Sequence, residues 1–453
     1  LSAMDRHVIC NMGAELGATS SLFPADEEVR RWLKTQQREE DFVEIKADAN
    51  ATYDVDEEID LSKLEPLVAL PSNPDRVVPV REVAGAEIYQ AYVGSSANPG
   101  YRDFAMAAEI VKGKQVHPRV SFDVSPTSRQ VLENLVADGH LLSLIQAGAR
   151  IHQAGCNGCI GMGQAPATDS ISLRTVPRNF PGRSGTLEDK VYLVSPETAA
   201  ASALTGKITD PRTLGMRYPR IKEPEKPFIN LQMLLPPPTP GQPPVELVKG
   251  PNIAALPDSE PLPNEFAVSI LLKLGDNIST DEIMPAGAQV LPYRSNIPKI
   301  AEFSFERVDP TYAKRAFQTR DAGHAIIGGR NYGQGSSREH AALGPRYLGL
   351  RLVIAKSLAR IHRQNLSNFG VLPLTFDDPA EYDRMRTGDI LRIRSIRDQL
   401  KRGETLEIEC DCQDQRESHT LRARHQLTAR QVRFVLIGGL INWMKERLSS
   451  VAV

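Results

Sequence analysis

The C-terminal half of the chain alternates short apolar runs with amphipathic stretches. HAIIGG, which begins at His324, predicts a strand, and the polar loop NYGQGSS follows it. REHAALGPRYLG from Arg338 has helical spacing, and RLVIA from Arg351 predicts a second strand. SLARIHRQNLSNFG from Ser357 predicts a helix that ends at a glycine, and VLPLTF from Val371 predicts a third strand. Strands that alternate with helices predict a parallel sheet with crossover helices.

The N-terminal half is also mixed. VYLVS from Val191 predicts a strand, and PETAAASALTG from Pro196 predicts a helix entered through proline and closed by glycine. In the C-terminal half, GDNISTDEIMPAG from Gly275 predicts a loop or turn after the strand VSILLKL, and the terminal LIGGLINWMKERL predicts one core-packing helix. Both halves are therefore predicted to be α/β.

Proline density marks a boundary between the halves. Of the 33 prolines, 12 lie between residues 224 and 263, with LLPPPTPGQPP at the centre. This density excludes a helix or a central strand and predicts an extended, semi-rigid connector. We therefore predict domains at 1–222 and 263–453, joined by a proline-rich linker at 223–262.

Charge and hydropathy exclude some function classes. Lys and Arg total 54 and Asp and Glu total 56, so the net charge of −2 argues against dedicated nucleic-acid binding. The apolar stretch at 434–444 is interrupted by Gly438, Gly439 and Asn442, and it is far shorter than the roughly 20 residues of a spanning helix. We therefore predict no membrane partner. Because the chain begins at Leu1, we expect a fragment or a processed product.

The five cysteines do not form a secreted disulfide framework, which predicts a reducing, cytoplasmic compartment. Cys156 and Cys159 form a C-x-x-C pair in AGCNGCIGMGQAP, a spacing that suits one soft metal ion or two corners of an iron–sulfur cluster. A redox pair and a purely structural pair remain alternatives. Cys410 and Cys412 have the wrong spacing for a zinc half-site and are interpreted as incidental thiols.

Two further motifs suit anions. GGRNYGQGSSREH, residues 328–340, places two hydroxyls and Arg338 at the start of a predicted helix, where the free N–H groups and the dipole favour negative charge. The alternative is an N-cap serine beside a solvated arginine. RNFPGRSG holds Arg178 and Arg183 on a Pro-Gly turn, which suits a carboxylate or phosphate, although surface arginines are commoner.

Five separated motifs together resemble one family. CNMGAELGAT, AGCNGCIG, RNFPGR, ISTDEIMPAG and NYGQGSSREHAALGPRYLG occur in this order over nearly the whole chain and resemble the aconitase family. The resemblance implies an α/β iron–sulfur domain of mixed or parallel sheet, represented by its C-terminal part at 1–222, and a smaller α/β swivel domain at 263–453. It also implies that the N-terminal part of the enzyme is missing from this chain.

The resemblance implies a hydro-lyase that interconverts citrate and isocitrate through cis-aconitate. It implies a [4Fe–4S] cofactor with Cys156 and Cys159 as ligands, and a tricarboxylate substrate. Ser336 matches the base serine, and Arg338 matches its neighbouring arginine. The resemblance assigns further substrate-binding or site-lining roles to Arg178, Arg183, Arg294, Ser337, Asn11 and Glu15.

The chain departs from the family pattern at the third cluster ligand. Ser96, in VGSSANPGYRDF, stands where the family has a cysteine, and a serine oxygen is a harder ligand than a thiolate. The cluster is then labile, ligated by Ser96, or ligated by another cysteine, of which Cys10 is the nearest candidate by motif. Pro177 also replaces an asparagine that is common before Arg178.

Alternative functions remain open at this stage. A related hydro-lyase would act on homoaconitate or 2-methylcitrate. A non-catalytic paralogue that senses iron or binds RNA is favoured by Ser96 and disfavoured by the retained serine and arginine set.

Overall fold

The computed structural model divides the chain into two compact units, Leu1–Pro244 and Val245–Val453. It describes every residue except 19, 95–97, 99, 244, 288, 336, 415 and 452–453, and it leaves out the side chains of 14, 450 and 451. The division falls within the segment predicted as a linker, and the exact domain bounds stay a prediction. None of the helices that the described residues form is both long and apolar enough to cross a membrane.

The N-terminal unit contains seven helices and seven strands among its described residues. The helices are α1 (Ala3–Glu15), α2 (Glu27–Thr35), α3 (Val80–Val83), α4 (Tyr101–Val111), α5 (Arg129–Ala137), α6 (His140–Ala147) and α7 (Pro196–Thr205). The strands are β1 (Leu67–Ala69), β2 (Val77–Pro79), β3 (Gln90–Gly94), β4 (Ser121–Ser125), β5 (Arg150–Ile151), β6 (Ile171–Arg174) and β7 (Lys190–Leu193).

These strands form one sheet in the order β2-β1-β7-β6-β3-β4-β5. The five strands from β7 to β5 run parallel, and β1 and β2 add an antiparallel edge. Alternation along β3 separates two cores: Ala91 and Val93 pack with α4 and α7, whereas Tyr92 points to the other face and packs with Cys159. The face opposite the helices therefore carries the predicted cysteine loop.

The C-terminal unit is a closed barrel with helices around it. Its strands are β8 (Phe266–Lys273), β9 (His324–Gly328), β10 (Leu350–Ala355), β11 (Leu372–Phe376), β12 (Ile390–Ile393), β13 (Thr405–Asp411) and β14 (His419–Arg424). The helices are α8 (Thr280–Ile283), α9 (Ile297–Ile300), α10 (Tyr312–Gln318), α11 (His340–Tyr347), α12 (Arg360–Asn368), α13 (Glu381–Arg384), α14 (Ile396–Arg402), α15 (Ala429–Ile437) and α16 (Leu440–Val451).

The predicted parallel sheet is confirmed for β8 to β11, and the antiparallel strands β12, β13 and β14 close it into a barrel in the order β10-β11-β14-β13-β12-β8-β9. The α/β fold class is thus confirmed in both units. Alternating residues fill the barrel, among them Ile270, Ile327 and Ile354, while Ile326 and Val353 face the surrounding helices.

Two predictions for this unit were wrong. The terminal helix is interrupted at Gly438 and Gly439, because both have positive φ, which ends α15. The backbone of residues 259–260 lies 2.5 Å from where a Gly438 Cβ would stand, so this position requires glycine. Within GDNISTDEIMPAG, which was predicted as a loop or turn, Thr280–Ile283 form the one-turn helix α8. Ser279 accepts from the Glu282 N–H at 3.2 Å and the Glu282 carboxylate accepts from the Ser279 N–H at 2.7 Å, so a capping box starts this short helix.

The proline-rich segment is anchored at each end to the unit that it leaves or enters. The Phe228 N–H donates to Asn134 Oδ1 at 3.0 Å in the N-terminal unit. In the C-terminal unit, Asn442 donates to the Ser259 carbonyl at 2.7 Å and Leu262 is buried in the barrel core. The described residues between them form no helix or strand, as the proline density predicts.

Candidate active site

The Cys156–Cys159 loop follows β5 and contains one turn of 3₁₀ helix at Gly158–Ile160. Cys159 is buried and Cys156 is exposed. A hydrogen bond between the two thiols, together with burial, raises the pKa of Cys159 well above its usual range, and the Arg183 guanidinium opposes that shift. The loop therefore presents two adjacent thiols, one sealed in the protein and one open to solvent.

Glycine is required at two positions of this loop by close packing. A Cβ on Gly158 would stand 2.4 Å from the ring of Tyr92, which is completely buried. Gly161 has φ +79°, and its Cβ would stand 2.3 Å from the Ser184 carbonyl oxygen. The glycines thus allow the cysteine loop to lie directly on the sheet and on the segment that carries Arg183.

Arg174, at the end of β6, is hydrogen-bonded to the cysteine loop. The sequence analysis did not identify it. Its guanidinium is completely buried and donates to the Gly158 carbonyl at 2.7 Å and to Gln90 Oε1 at 2.7 Å. It also donates to Ser172 Oγ at 2.9 Å and to the Gln164 carbonyl. The signal available in the sequence was a charged residue in the segment ISLRTV, where Ile171, Leu173 and Val176 indicate a buried strand.

Of the predicted carboxylate-binding arginines, one contacts a thiol of the cysteine loop and another contacts α1. Arg183 is buried and donates to Cys159 Sγ and to the Cys159 carbonyl, both at 3.5 Å. Arg178 forms an ion pair of 2.7 Å with Glu15, whose side chain is only 3% exposed. Glu15, at the end of α1, therefore orients Arg178, whereas the sequence analysis assigned it only a place in the site lining. Asn11 lies one turn earlier on α1.

Two of the predicted site serines lie in the part of the chain that the structure does not describe. Ser96, the predicted third cluster position, and Ser336, the predicted base, lie outside the described residues. Cys10, the alternative third ligand, donates to the Ser21 carbonyl at 3.7 Å. Among the described residues, Cys10 does not form a three-ligand group with Cys156 and Cys159.

In the C-terminal unit, the loop that carries the predicted anion site is longer than expected. Helix α11 begins at His340, so Ser337 and Arg338 precede the helix rather than start it, and the prediction that they occupy its first turn was wrong. Ser337 is exposed, and its carbonyl accepts from Asn365 at 3.2 Å. This side-chain bond from α12 holds the backbone of the loop just before Arg338.

Arg338 is held by the ISTDEI segment. Its guanidinium donates to Asp281 Oδ1 at 2.8 Å and to the Met284 carbonyl, and both side chains of the ion pair are 16% exposed. Arg294 is exposed, and its carbonyl accepts from His340 Nε2 at 2.8 Å. The sequence analysis did not identify Asp281 as the group that fixes Arg338.

The residues around Cys156 and Cys159 fit an anionic group, such as an iron–sulfur cluster, that is bound at two of its corners by sulfur ligands. Two thiols supply sulfur ligands, and Arg183 supplies positive charge at hydrogen-bond range of one of them. Arg183 Nε is buried and has no hydrogen-bond partner among the described residues. An unsatisfied buried donor beside a thiol favours a bound anionic ligand at this place.

Comparison with known proteins identifies the family. The profile of the aconitase family (aconitate hydratase) matches residues 1–206, and the profile of the aconitase C-terminal domain matches residues 288–379. Homocitrate dehydratase of Saccharomyces cerevisiae is 30% identical over 98% of this chain and 65% of its own length. Putative aconitate hydratases of Emericella nidulans and Aspergillus fumigatus are 31% and 32% identical over 99% of this chain and 64% of their own lengths.

A solved structure of 3-isopropylmalate dehydratase from Methanocaldococcus jannaschii is 26% identical, with a TM-score of 0.33, over 42% of this chain and 98% of that one. The chain spans about 65% of the length of the curated relatives named above. The two profiles match in chain order, one in each compact unit. This chain belongs to the aconitase family.

Proposed function

We propose that this chain is part of a hydro-lyase that interconverts citrate and isocitrate through cis-aconitate. The observation that carries the proposal is the arrangement around Cys159, where a buried thiol lies at 3.5 Å from Arg183 and beside the exposed Cys156 thiol. A purely structural C-x-x-C pair would leave no reason for a buried guanidinium to face the sulfur. The family membership supports the same reading.

We propose that Cys156 and Cys159 hold two corners of a [4Fe–4S] cluster, with Ser96 at the third position. When bound, such a cluster supplies a Lewis acid that binds the substrate hydroxyl and eases its departure. Arg183 and Arg178 place positive charge beside the thiolates and bind carboxylates of the substrate.

The C-terminal unit supplies the groups proposed to handle the proton and a further carboxylate. Ser336 removes the proton from the carbon next to the departing hydroxyl, and Ser337 and Arg294 contribute to substrate binding. Arg338 binds a carboxylate in an orientation that Asp281 fixes at 2.8 Å. A tricarboxylate needs several fixed cations, and the four arginines meet that need.

A second candidate substrate is homocitrate. The yeast relative bears the name homocitrate dehydratase, and it is as similar to this chain as the putative aconitate hydratases are. Homoaconitate and 2-methylcitrate, the alternative substrates from the sequence analysis, should be tested beside it. The predicted RNA-binding or iron-sensing alternative would require Arg178, Arg183, Arg294 and Arg338 to serve no substrate.

The test begins with iron and acid-labile sulfide in the anaerobically purified chain. We expect about four of each per chain, lost in Cys156→Ala and Cys159→Ala and unchanged in the matched thiol variant Cys10→Ala. Turnover of citrate, isocitrate, homocitrate and 2-methylcitrate by the loaded chain then ranks the substrates by kcat/KM. Iron content that does not respond to Cys156→Ala, or loaded chain that binds none of these acids, contradicts the proposal.

A further inference from the structure

Three potential metal ligands meet on the β13–β14 hairpin, and the proposed reaction uses none of them. Cys410 in β13 pairs in register with His419 in β14, and Cys412 follows two residues later. Cys412 lies just beyond the end of β13, and its Sγ is 3.8 Å from Cys410 Sγ, so the two thiols are adjacent. One ligand atom from each of the three residues lies within 4.8 Å of the others.

The distances match the geometry of one tetrahedral zinc ion. Zn–S bonds of about 2.3 Å and Zn–N bonds of about 2.0–2.1 Å at tetrahedral angles place two sulfurs about 3.8 Å apart and a sulfur and a nitrogen about 3.6 Å apart. Cys410 Sγ and Cys412 Sγ are 3.8 Å apart, and Cys412 Sγ and His419 Nδ1 are 3.6 Å apart. The third edge, between Cys410 and His419, is at most 4.8 Å, so metal binding would shorten it by no more than about 1.2 Å.

A carboxylate fixes the imidazole in the orientation that a metal ligand needs. His419 Nε2 lies 2.9 Å from Glu381 Oε2, and the two side chains are 13% and 15% exposed. Because the carboxylate accepts the Nε2 proton, the lone pair of the neutral ring is on Nδ1, the nitrogen that faces Cys412. The cluster therefore has two sulfur ligands, one nitrogen ligand and an outer carboxylate.

We propose that Cys410, Cys412 and His419 bind one Zn²⁺ ion, with Glu381 positioning His419 and a water in the fourth place. The mixture of two thiolates and an imidazole selects a borderline-soft ion over Mg²⁺ or Ca²⁺. The ion joins the end of β13 to the start of β14 and stabilises the hairpin that closes the barrel. This site is independent of the proposed hydro-lyase function.

The experiment is a Co²⁺ titration of the reduced, metal-free full chain, because Co²⁺ in zinc sites with thiolate ligands shows sulfur-to-metal absorption and intense visible bands. Since Cys156 and Cys159 can also bind Co²⁺, the titration is carried out in the Cys156→Ser/Cys159→Ser variant. We expect one Co²⁺ per chain, displaced by Zn²⁺. Absence of the thiolate bands in this variant overturns the proposal.

Single substitutions then assign the ligands. Cys412→Ser and His419→Gln, at partly exposed positions, should each weaken binding by at least about 10-fold, and Cys10→Ser, the matched control, should leave it unchanged. Glu381→Gln should weaken binding by about 10–100-fold, whereas Arg384→Gln, which removes the other ion pair of Glu381, should not. Binding that survives Cys412→Ser places the metal elsewhere and overturns the assignment.

Discussion

Replacing Arg174 by methionine should destabilise the N-terminal unit and release the Cys156–Cys159 loop. The guanidinium is buried and donates to the carbonyl of Gly158, one of the two residues between the cysteines. Methionine fills much of the same volume but has no donor. The substitution therefore tests whether this arginine holds the loop in place or only fills space.

The expected loss of unfolding free energy depends on which hydrogen bonds each acceptor of Arg174 keeps after the substitution. Four oxygens lose charge-assisted hydrogen bonds of about 1.5–3 kcal/mol each. The Gly158 carbonyl still accepts from the Gly161 N–H at 3.1 Å and Gln90 Oε1 from Ser172 at 2.7 Å, which leaves the Gln164 carbonyl most exposed to loss. Burial lowers the pKa of Arg174, so removing the charge recovers several kcal/mol of desolvation cost. We expect a net loss of about 3 kcal/mol.

The assay is urea unfolding followed by Trp32 fluorescence in a Trp443→Phe background, since these are the two tryptophans of the chain. Arg174→Lys keeps the positive charge but loses the planar set of guanidinium N–H donors, and it should be less destabilising than Arg174→Met. Arg119→Met, at an exposed residue with one contact to Glu87, should stay within about 0.5 kcal/mol of wild type. An Arg174→Met variant within 1 kcal/mol of wild type that still holds iron would refute the reasoning.

Three further predictions concern single side chains. Gly158→Ala should cost about 1–3 kcal/mol in urea unfolding, because its Cβ meets the Tyr92 ring at 2.4 Å, and Tyr92→Leu should reduce that cost in a double-mutant cycle. Burial lowers the pKa of His362 from 6.5 to about 4, so its protonation favours the unfolded chain and wild-type stability falls as the pH drops through that interval. His362→Leu should therefore lose less stability than wild type between pH 7 and pH 5, by about 2 kcal/mol, and parallel pH profiles would contradict this. Arg338→Lys should raise the KM for the tricarboxylate about 10-fold or more, because lysine cannot donate to Asp281 and a substrate carboxylate with one planar fork; an unchanged KM would remove Arg338 from substrate binding.

Local signals in the sequence were enough to predict several elements. The helix α7 begins after Ser195, which caps Thr198, and ends at Gly206 in the left-handed region, as its proline and glycine indicate. The strand VYLVS and the parallel run β9 to β11 follow equally from short apolar segments between turns. These signals depend only on residues close together in the chain, so they can be recognised in a single sequence.

The residues that the sequence analysis missed depend on distant partners. Asp281 meets Arg338 from 57 positions away, and Arg174 meets Gln90 from 84 positions away. Cys410 and Cys412 were dismissed because their spacing fits no zinc half-site, yet strand register brings His419 opposite Cys410. Strand register and burial are properties of the folded sheet, so the spacing of residues along the chain does not predict them. The roles of Ser336, Ser96 and the arginines stay predictions.

Closure of the C-terminal barrel has a consequence for its behaviour as a separate polypeptide. Each of its seven strands has a hydrogen-bonded neighbour on both sides, so the described strands offer no edge on which another chain could add a strand. The N-terminal sheet ends instead in β2, with three residues, and β5, with two. Residues 245–453 produced alone should therefore resist edge-to-edge aggregation, the common failure of excised β-rich domains.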